Sequence, residues 1–165
     1  MSATGLEVFD KTLHTTNTWL KEIMEPLACD RHVAWHALGA VLRAIRDRIP
    51  LELSAHLSAE LPLLVRGLYY DRWHPATAPE HYRSLDEFLD RIAEDLNSTR
   101  PVEPEDAARI VFTVLTRHLP EGQVAKVRHA LPEQVRSLWP DHASLGSRTR
   151  VEFEVDEMRL SSGLA

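Results

Sequence analysis

Residues 61–69 read Leu-Pro-Leu-Leu-Val-Arg-Gly-Leu-Tyr, and residues 131–139 read Leu-Pro-Glu-Gln-Val-Arg-Ser-Leu-Trp. The two stretches lie 70 residues apart (131 − 61) and share a Leu-Pro start, a Val-Arg centre and a Leu-aromatic end. A repeat of this kind indicates that each copy is one supersecondary unit, which buries its apolar face against the other copy. The sequence therefore predicts a duplicated architecture.

The same offset relates two apolar stripes at helical spacing. The first stripe is Leu38, Val41, Leu42, Ile45 and Ile49, and the second is Ala108, Val111, Phe112, Leu115 and Leu119. The helices before them match with an offset of 69 (88 − 19), from Trp19 to Phe88, which places one extra residue in the polar loop 97–103. Prolines then end each long helix and separate two shorter ones.

These patterns predict an all-α fold. Two tandem four-helix repeats, at about 9–70 and about 82–140, form one pseudo-two-fold bundle within a helical domain spanning 1–140. Asp30 and Ser84 are the expected N-caps of two helices. The remaining segment, 141–165, is predicted to be an extended or partly disordered tail. Within it, residues 148–156 alternate polar and apolar side chains, as a β-strand does. This strand can lie on the helical body through its apolar face, pair with a second copy to form a homodimer, or be disordered.

Composition narrows the classes of partner. The chain has a formal net charge of −6 and no run of Lys and Arg, which argues against nucleic acid as its partner. It has no apolar stretch long enough for a membrane span and no secretory signal pattern, so we expect a cytoplasmic protein without a membrane partner. Cys29 is the only cysteine, which excludes an intrachain disulfide and a cysteine-rich zinc site.

Several segments resemble one bacterial all-α family, the domain of unknown function DUF2267. They are Phe88-Leu-Asp-Arg-Ile-Ala93, Glu105-Asp-Ala-Ala108, the stretch 61–70 with Trp73, and the Leu131-Pro132 and Leu138-Trp139-Pro140 endings. The resemblance covers roughly residues 9–140 and leaves the tail outside. It implies an all-α fold and supplies no catalytic residues, ligand or cofactor.

One candidate metal site lies at the start of a predicted helix. His32 and His36 are four residues apart, so both rings can face one ion, and Cys29 stands three residues before His32. The alternative is an ordinary helix start with two histidines and a capping Asp30. A metal ion is the only cofactor that the sequence suggests, and the second copy has no equivalent cysteine.

Two further groups are candidate ligand-binding residues. Arg66 and Arg136 occupy equivalent positions, and they predict either an anion clamp or a structural contact with an acid or with helix-end carbonyls. Between the copies, Tyr70, Trp73 and His74 could line a pocket at the junction, together with Tyr69, Tyr82 and His81. The alternative for these aromatics is core packing at the seam between the copies.

Catalytic motifs are absent from the sequence. It contains no Gly-rich phosphate loop, nucleophile elbow or His-Glu-x-x-His pair, and a lone cysteine near a histidine is usually inert. We therefore expect a non-enzymatic interaction or scaffold module that binds a protein partner or itself. The alternative is a metal- or small-ligand-binding protein that uses Cys29, His32 and His36 or the junction pocket.

Overall fold

The structure, a computed structural model, describes residues 2–141, and within these residues it is all-helical. The helices of the first half are α1 (Glu7–Leu27), α2 (Arg31–Arg48), α3 (Leu51–Ala59) and α4 (Leu63–Tyr70). A connector, residues 71–84, contains one 3-10 turn at Pro75–Thr77. The helices of the second half are α5 (Leu85–Asp95), α6 (Pro104–His118), α7 (Glu121–Ala130) and α8 (Glu133–Arg136). The prediction of an all-α fold is confirmed.

Four prolines set helix boundaries in both halves. Pro50, Pro62, Pro120 and Pro132 are the N-cap residues of α3, α4, α7 and α8, with φ of −55° or −54° and ψ from 136° to 149°. Each proline ends the preceding helix because it lacks an N–H and disfavours helical backbone in the residue before it. Consecutive helices are therefore joined by very short connections.

The predicted side-chain caps are also present. The Asp30 carboxylate accepts from the Val33 N–H at 2.9 Å, and the Ser84 hydroxyl accepts from the Glu87 N–H at 3.2 Å. Ser84 fixes the start of α5, which has 11 residues, whereas α1 has 21. Helix α1 is therefore much longer than α5.

The core is built around α2 and α6. Helix α2 contacts α1, α4, α5 and α6, and helix α6 contacts α1, α2, α5 and α7. Every member of the two predicted apolar stripes is buried, and a single hydrophobic cluster contains side chains from both halves. This arrangement leaves one side of α1 and the ends of α4 and α5 to form the surfaces considered below.

Some expectations fall on residues that the structure does not describe. The predicted strand at 148–156 lies outside the described residues, as does nearly all of the tail. Within 2–141, no helix combines the length and apolarity that crossing a bilayer requires.

Candidate functional site

Helix α1 exposes an apolar side near its start. Four large apolar residues there are largely exposed, namely Leu6, Val8, Phe9 and Leu13. Leu6, Phe9 and Leu13 are spaced by three and four residues, and the same spacing continues through Thr16 to the buried Leu20 and Ile23. The apolar side of α1 therefore runs without a break from the core to the surface, in the pattern by which helices pack against a partner.

The start of α1 is held in place by polar contacts. Asp10 accepts from the Thr4 N–H at 3.1 Å and from the Thr4 hydroxyl at 2.9 Å, and it also accepts from the Ser2 hydroxyl. These hydrogen bonds lower the pKa of Asp10, and the bond from Ser2 has the largest effect. Further along, the Thr12 hydroxyl accepts from the Leu64 N–H at 3.2 Å and so joins α1 to the first turn of α4.

A cavity of about 500 Å³ opens between α1, α2 and α4, and we call it the N-terminal groove. Its lining residues are Leu13, Thr16, Asn17 and Leu20 of α1, Arg31, His32 and Trp35 of α2, and Leu64 of α4. Leu13 and Leu64 are 42% and 41% exposed, so apolar surface forms both walls at the mouth. Apolar surface gathered into a groove, rather than scattered, is typical of a binding surface.

Polar groups of the N-terminal groove are left without partners. Arg31 is exposed and forms no ion pair with any described residue, and the Asn17 side chain makes no hydrogen bond among residues 2–141. The Thr16 hydroxyl is buried and likewise has no partner in the described part of the chain. The groove thus combines apolar walls with an unpaired cation and an unpaired amide.

The structure brings together only part of the predicted metal site. The His32 and His36 rings lie edge to face with centroids 4.5 Å apart. Burial, and then the charge of His32, lower the pKa of His36. Cys29 is half-buried against the core, and burial followed by the charge of Asp30 raises the pKa of its thiol. No three His, Cys, Asp or Glu residues are grouped to hold a metal ion within the described residues, and metal binding here stays a prediction.

Arg66 and Arg136 each bind backbone carbonyls at the end of the preceding helix. Arg66 donates from Nε to the Ser58 oxygen at 2.9 Å, and from Nη2 to the Ala59 and Leu61 oxygens at 3.2 Å. Arg136 donates from Nε to the Leu131 oxygen at 2.8 Å and from Nη2 to the His129 oxygen at 2.8 Å. These contacts satisfy carbonyls that a helix leaves unpaired, which is the structural role considered from the sequence.

The structure places the three connector residues predicted to line a pocket in two different surroundings. Tyr70 donates to the Ser58 hydroxyl at 2.6 Å and packs on Trp73, with ring centroids 5.2 Å apart. His74 instead borders a separate small cavity of about 70 Å³ beside Arg46. Of the three predicted residues, the structure therefore places Tyr70 and Trp73 together and His74 elsewhere.

A second cavity, of about 310 Å³, lies where the two halves meet, and we call it the junction cleft. It is lined by Ala40, Arg43, Ala44, Arg46 and Asp47 of α2, by Arg72 of the connector, and by Arg91, Glu94 and Asp95 of α5. None of these residues was predicted from the sequence as a site residue. The signal that could have found them is that Arg43 and Arg46 interrupt the otherwise apolar stretch 37–46 of α2.

The arginines of the junction cleft are already paired. Arg43 lies 2.7 Å from Asp95, Arg72 lies 3.0 Å from the other oxygen of Asp95, and Arg91 pairs with Glu80. Arg46 is buried and donates to the Tyr69 and Asp71 carbonyls at 2.8 Å. The ion pairs and hydrogen bonds of the junction cleft therefore hold the end of α4 and the connector against α2 and α5.

Comparison with known proteins identifies a family and gives no information on chemistry. No curated protein matches the chain. A family model described as an uncharacterized conserved protein, DUF2267, matches residues 16–138, which is most of the chain. The match includes every lining residue of the N-terminal groove except Leu13, whereas the exposed apolar start of α1 precedes it. With its all-helical structure and this match, the chain belongs to the DUF2267 family.

Proposed function

We propose that this protein is a non-enzymatic interaction module, and that it binds a protein segment carrying apolar side chains and carboxylates in the N-terminal groove. The proposal rests on one observation. The same groove has exposed apolar walls and contains Arg31, which has no acidic partner among the described residues. Apolar contact supplies most of the affinity at such a surface, and the charge selects the partner and its orientation.

The polar groups favour an extended peptide as the occupant. Asn17 presents an amide that can donate to and accept from a peptide backbone. Arg31 can bind a carboxylate in a bidentate manner, and it stands beside the exposed His32. A peptide with alternating apolar and acidic residues meets both requirements, because its two sets of side chains point in opposite directions.

The two halves, in this proposal, are copies of one unit related by a pseudo-two-fold axis. The order of helices, the four N-cap prolines and the carbonyl contacts of Arg66 and Arg136 support this inference. The second half differs at the groove, since Gln134 stands where the first half has Leu64 and accepts from the Leu85 N–H at 3.1 Å. Binding is therefore assigned to the first half alone.

The proposal places the protein in the bacterial cytoplasm, in keeping with the family resemblance and with its single cysteine, Cys29. Metal or small-ligand binding, the alternative considered from the sequence, has no observation of comparable weight in its favour. The His32 and His36 rings contact each other, and Arg43 of the junction cleft pairs with Asp95.

Selection from a library of displayed random peptides on the immobilised full chain tests the proposal. We expect enrichment of peptides with apolar and acidic residues. Their affinity should fall at least tenfold on Leu13→Glu and on Leu64→Glu, because either change removes apolar contact and adds a repelling carboxylate. Fluorescence anisotropy with the labelled peptides measures the affinities.

Leu51→Glu is the matched control. Leu51 is also 42% exposed, but it lies at the start of α3 and does not line the N-terminal groove. Its substitution should leave the affinity unchanged. The proposal is wrong if no peptide is enriched, or if the enriched peptides bind all these chains equally well.

A further inference from the structure

The chain contains a segment of the chemistry that the N-terminal groove requires. Residues 151–157, which lie outside the described part of the chain, read Val-Glu-Phe-Glu-Val-Asp-Glu. We propose that this segment is itself a ligand of the N-terminal groove, an inference that rests on the proposed function. The protein then carries its own competitor for any external partner.

The side chains of this segment match the groove in two respects. Its alternating sequence predicts an extended conformation, which would present Val151, Phe153 and Val155 on one side, about 7 Å apart, and Glu152 and Glu154 on the other. The apolar side can cover the exposed Leu13 and Leu64, and an acidic side chain at the edge can then meet Arg31. The segment has four acids and no basic residue, so its charge is opposite to that of Arg31.

The chain between Asp141 and Val151 is long enough for the segment to reach around the domain. Trp139 stacks on Phe112 with centroids 4.2 Å apart, which fixes the end of the described chain on α6. Ten residues from there extend at most about 34 Å. A domain of this size has a radius of gyration of about 14 Å, so the segment can reach most of its surface.

A tethered ligand competes at a high effective concentration. For a link of about ten residues this concentration is on the order of millimolar, which reduces the apparent affinity of an external partner that must displace the segment. An external partner must therefore bind the N-terminal groove more tightly than the tethered segment does.

A labelled synthetic peptide of residues 148–158 tests the inference on full-length protein. We expect it to bind the triple variant Val151→Asp, Phe153→Asp, Val155→Asp at least tenfold more tightly than the wild type, because the altered tail no longer competes. Adding Leu13→Glu to the triple variant should abolish this binding, and adding Leu51→Glu should not. A Phe153→Asp peptide is the negative control.

A charge exchange provides a second measurement. Arg31→Glu in the triple variant should weaken binding of the peptide, and a peptide carrying Glu152→Lys and Glu154→Lys should restore it. Arg109→Glu, at an exposed arginine of α6, is the control, because it changes the net charge equally away from the groove.

The outcomes separate this inference from the proposed function. If selected random peptides bind through Leu13 and Leu64 but the 148–158 peptide does not, the tail is not the ligand and the proposed function stands. If neither binds, both are wrong. A tail-dependent dimer whose mass in solution is unaffected by Leu13→Glu would also overturn the inference, because it would show strand pairing between copies instead.

Discussion

Asp95 joins three parts of the chain through a single carboxylate. Arg43 of α2 donates to its Oδ2 and Arg72 of the connector to its Oδ1, and Asp95 itself belongs to α5. Arg72 adopts a left-handed backbone with φ of 55°, which is uncommon for a residue other than glycine. A conformation of this kind persists where the surrounding contacts hold it, and the ion pair with Asp95 is one such contact.

Asp95→Asn should reduce the free energy of unfolding by about 2–3 kcal/mol at pH 7, because Arg43 is then left buried without its counter-charge. Burial alone would raise the pKa of Asp95, but hydrogen bonds and charges from Arg43 and Arg72 lower it below the ordinary value of 3.8. The carboxylate therefore stabilises the protein above that value, and this contribution is lost as the pH falls through the lowered pKa.

Urea unfolding between pH 7 and pH 2 measures the effect. The difference between wild type and Asp95→Asn should shrink as the solution becomes more acidic than pH 3.8. Asp90→Asn, at an exposed position of the same helix, should change stability little. A difference that stays constant with pH would contradict the assigned role of Asp95.

The sequence was informative about individual side chains where the same residues recur in the two similar stretches, 61–69 and 131–139. The shared Val-Arg dipeptide pointed to Arg66 and Arg136 together, and both bind helix-end carbonyls. Arg43 and Arg46 were not identified, because a sequence pattern places arginine on the solvent side of a helix, whereas α2 is packed on nearly every side. Their partners lie far along the chain, and spacing cannot reveal such contacts.

Helices α2 and α4 approach closely at Gly39. A Cβ added there would lie 2.9 Å from Arg43 Nη1 and 2.9 Å from Leu68 Cδ1. Both groups have little room to move, since Arg43 is tied to Asp95 and Leu68 packs against the core. The absence of a side chain at Gly39 thus allows the ion pair of the junction cleft to form at the crossing of the two helices.

Gly39→Ala should lower the free energy of unfolding by about 1 kcal/mol. Alanine favours a helix by about 1 kcal/mol over glycine, but overpacking at a tight contact costs about 1–3 kcal/mol. Gly67→Ala is the matched control in α4, where an added Cβ meets nothing within 4 Å. That change should stabilise the protein by about 0.5–1 kcal/mol. Chemical denaturation measures both, and a stabilising Gly39→Ala would contradict the account.

Element boundaries were the most predictable part of the fold. Prolines and side-chain caps act through local chemistry, and Pro50, Pro62, Asp30 and Ser84 all begin helices or cap them as expected. The N-terminal groove was not predicted. It depends on how α1, α2 and α4 are arranged in space, and the apolar start of α1 has no counterpart in the second half from which a difference could be read.

Both halves of the described chain, residues 2–141, share one hydrophobic core. Trp19 of α1 stacks on His118 of α6 with centroids 5.3 Å apart, and Phe112 of α6 stacks on Trp139 beyond α8. Since the buried cluster includes residues of both halves, neither half has a complete core of its own. The halves are therefore expected to depend on each other for stability, whatever their origin.

Unfolding should accordingly follow a single transition. Circular dichroism at 222 nm and tryptophan fluorescence should give the same midpoint in urea. Ile45→Ala, which creates a cavity in α2, should lower stability by about 3 kcal/mol and shift both curves equally. Two separated transitions, or a shift in only one signal, would show that the halves unfold independently.

Because the N-terminal groove lies in the first half, the two halves of the chain present different surfaces to a partner. The N-terminal groove and the tail segment that we propose as its ligand would form a heterologous contact, in which two different surfaces meet. Such a contact is closed when it forms within one molecule or when two molecules exchange segments reciprocally. Contacts between successive molecules would otherwise close into a ring where the rotation between neighbours allows it, and would continue as an open chain where it does not. The length of the link between Asp141 and Val151 would then favour closure within one molecule or assembly between molecules, as well as set the affinity.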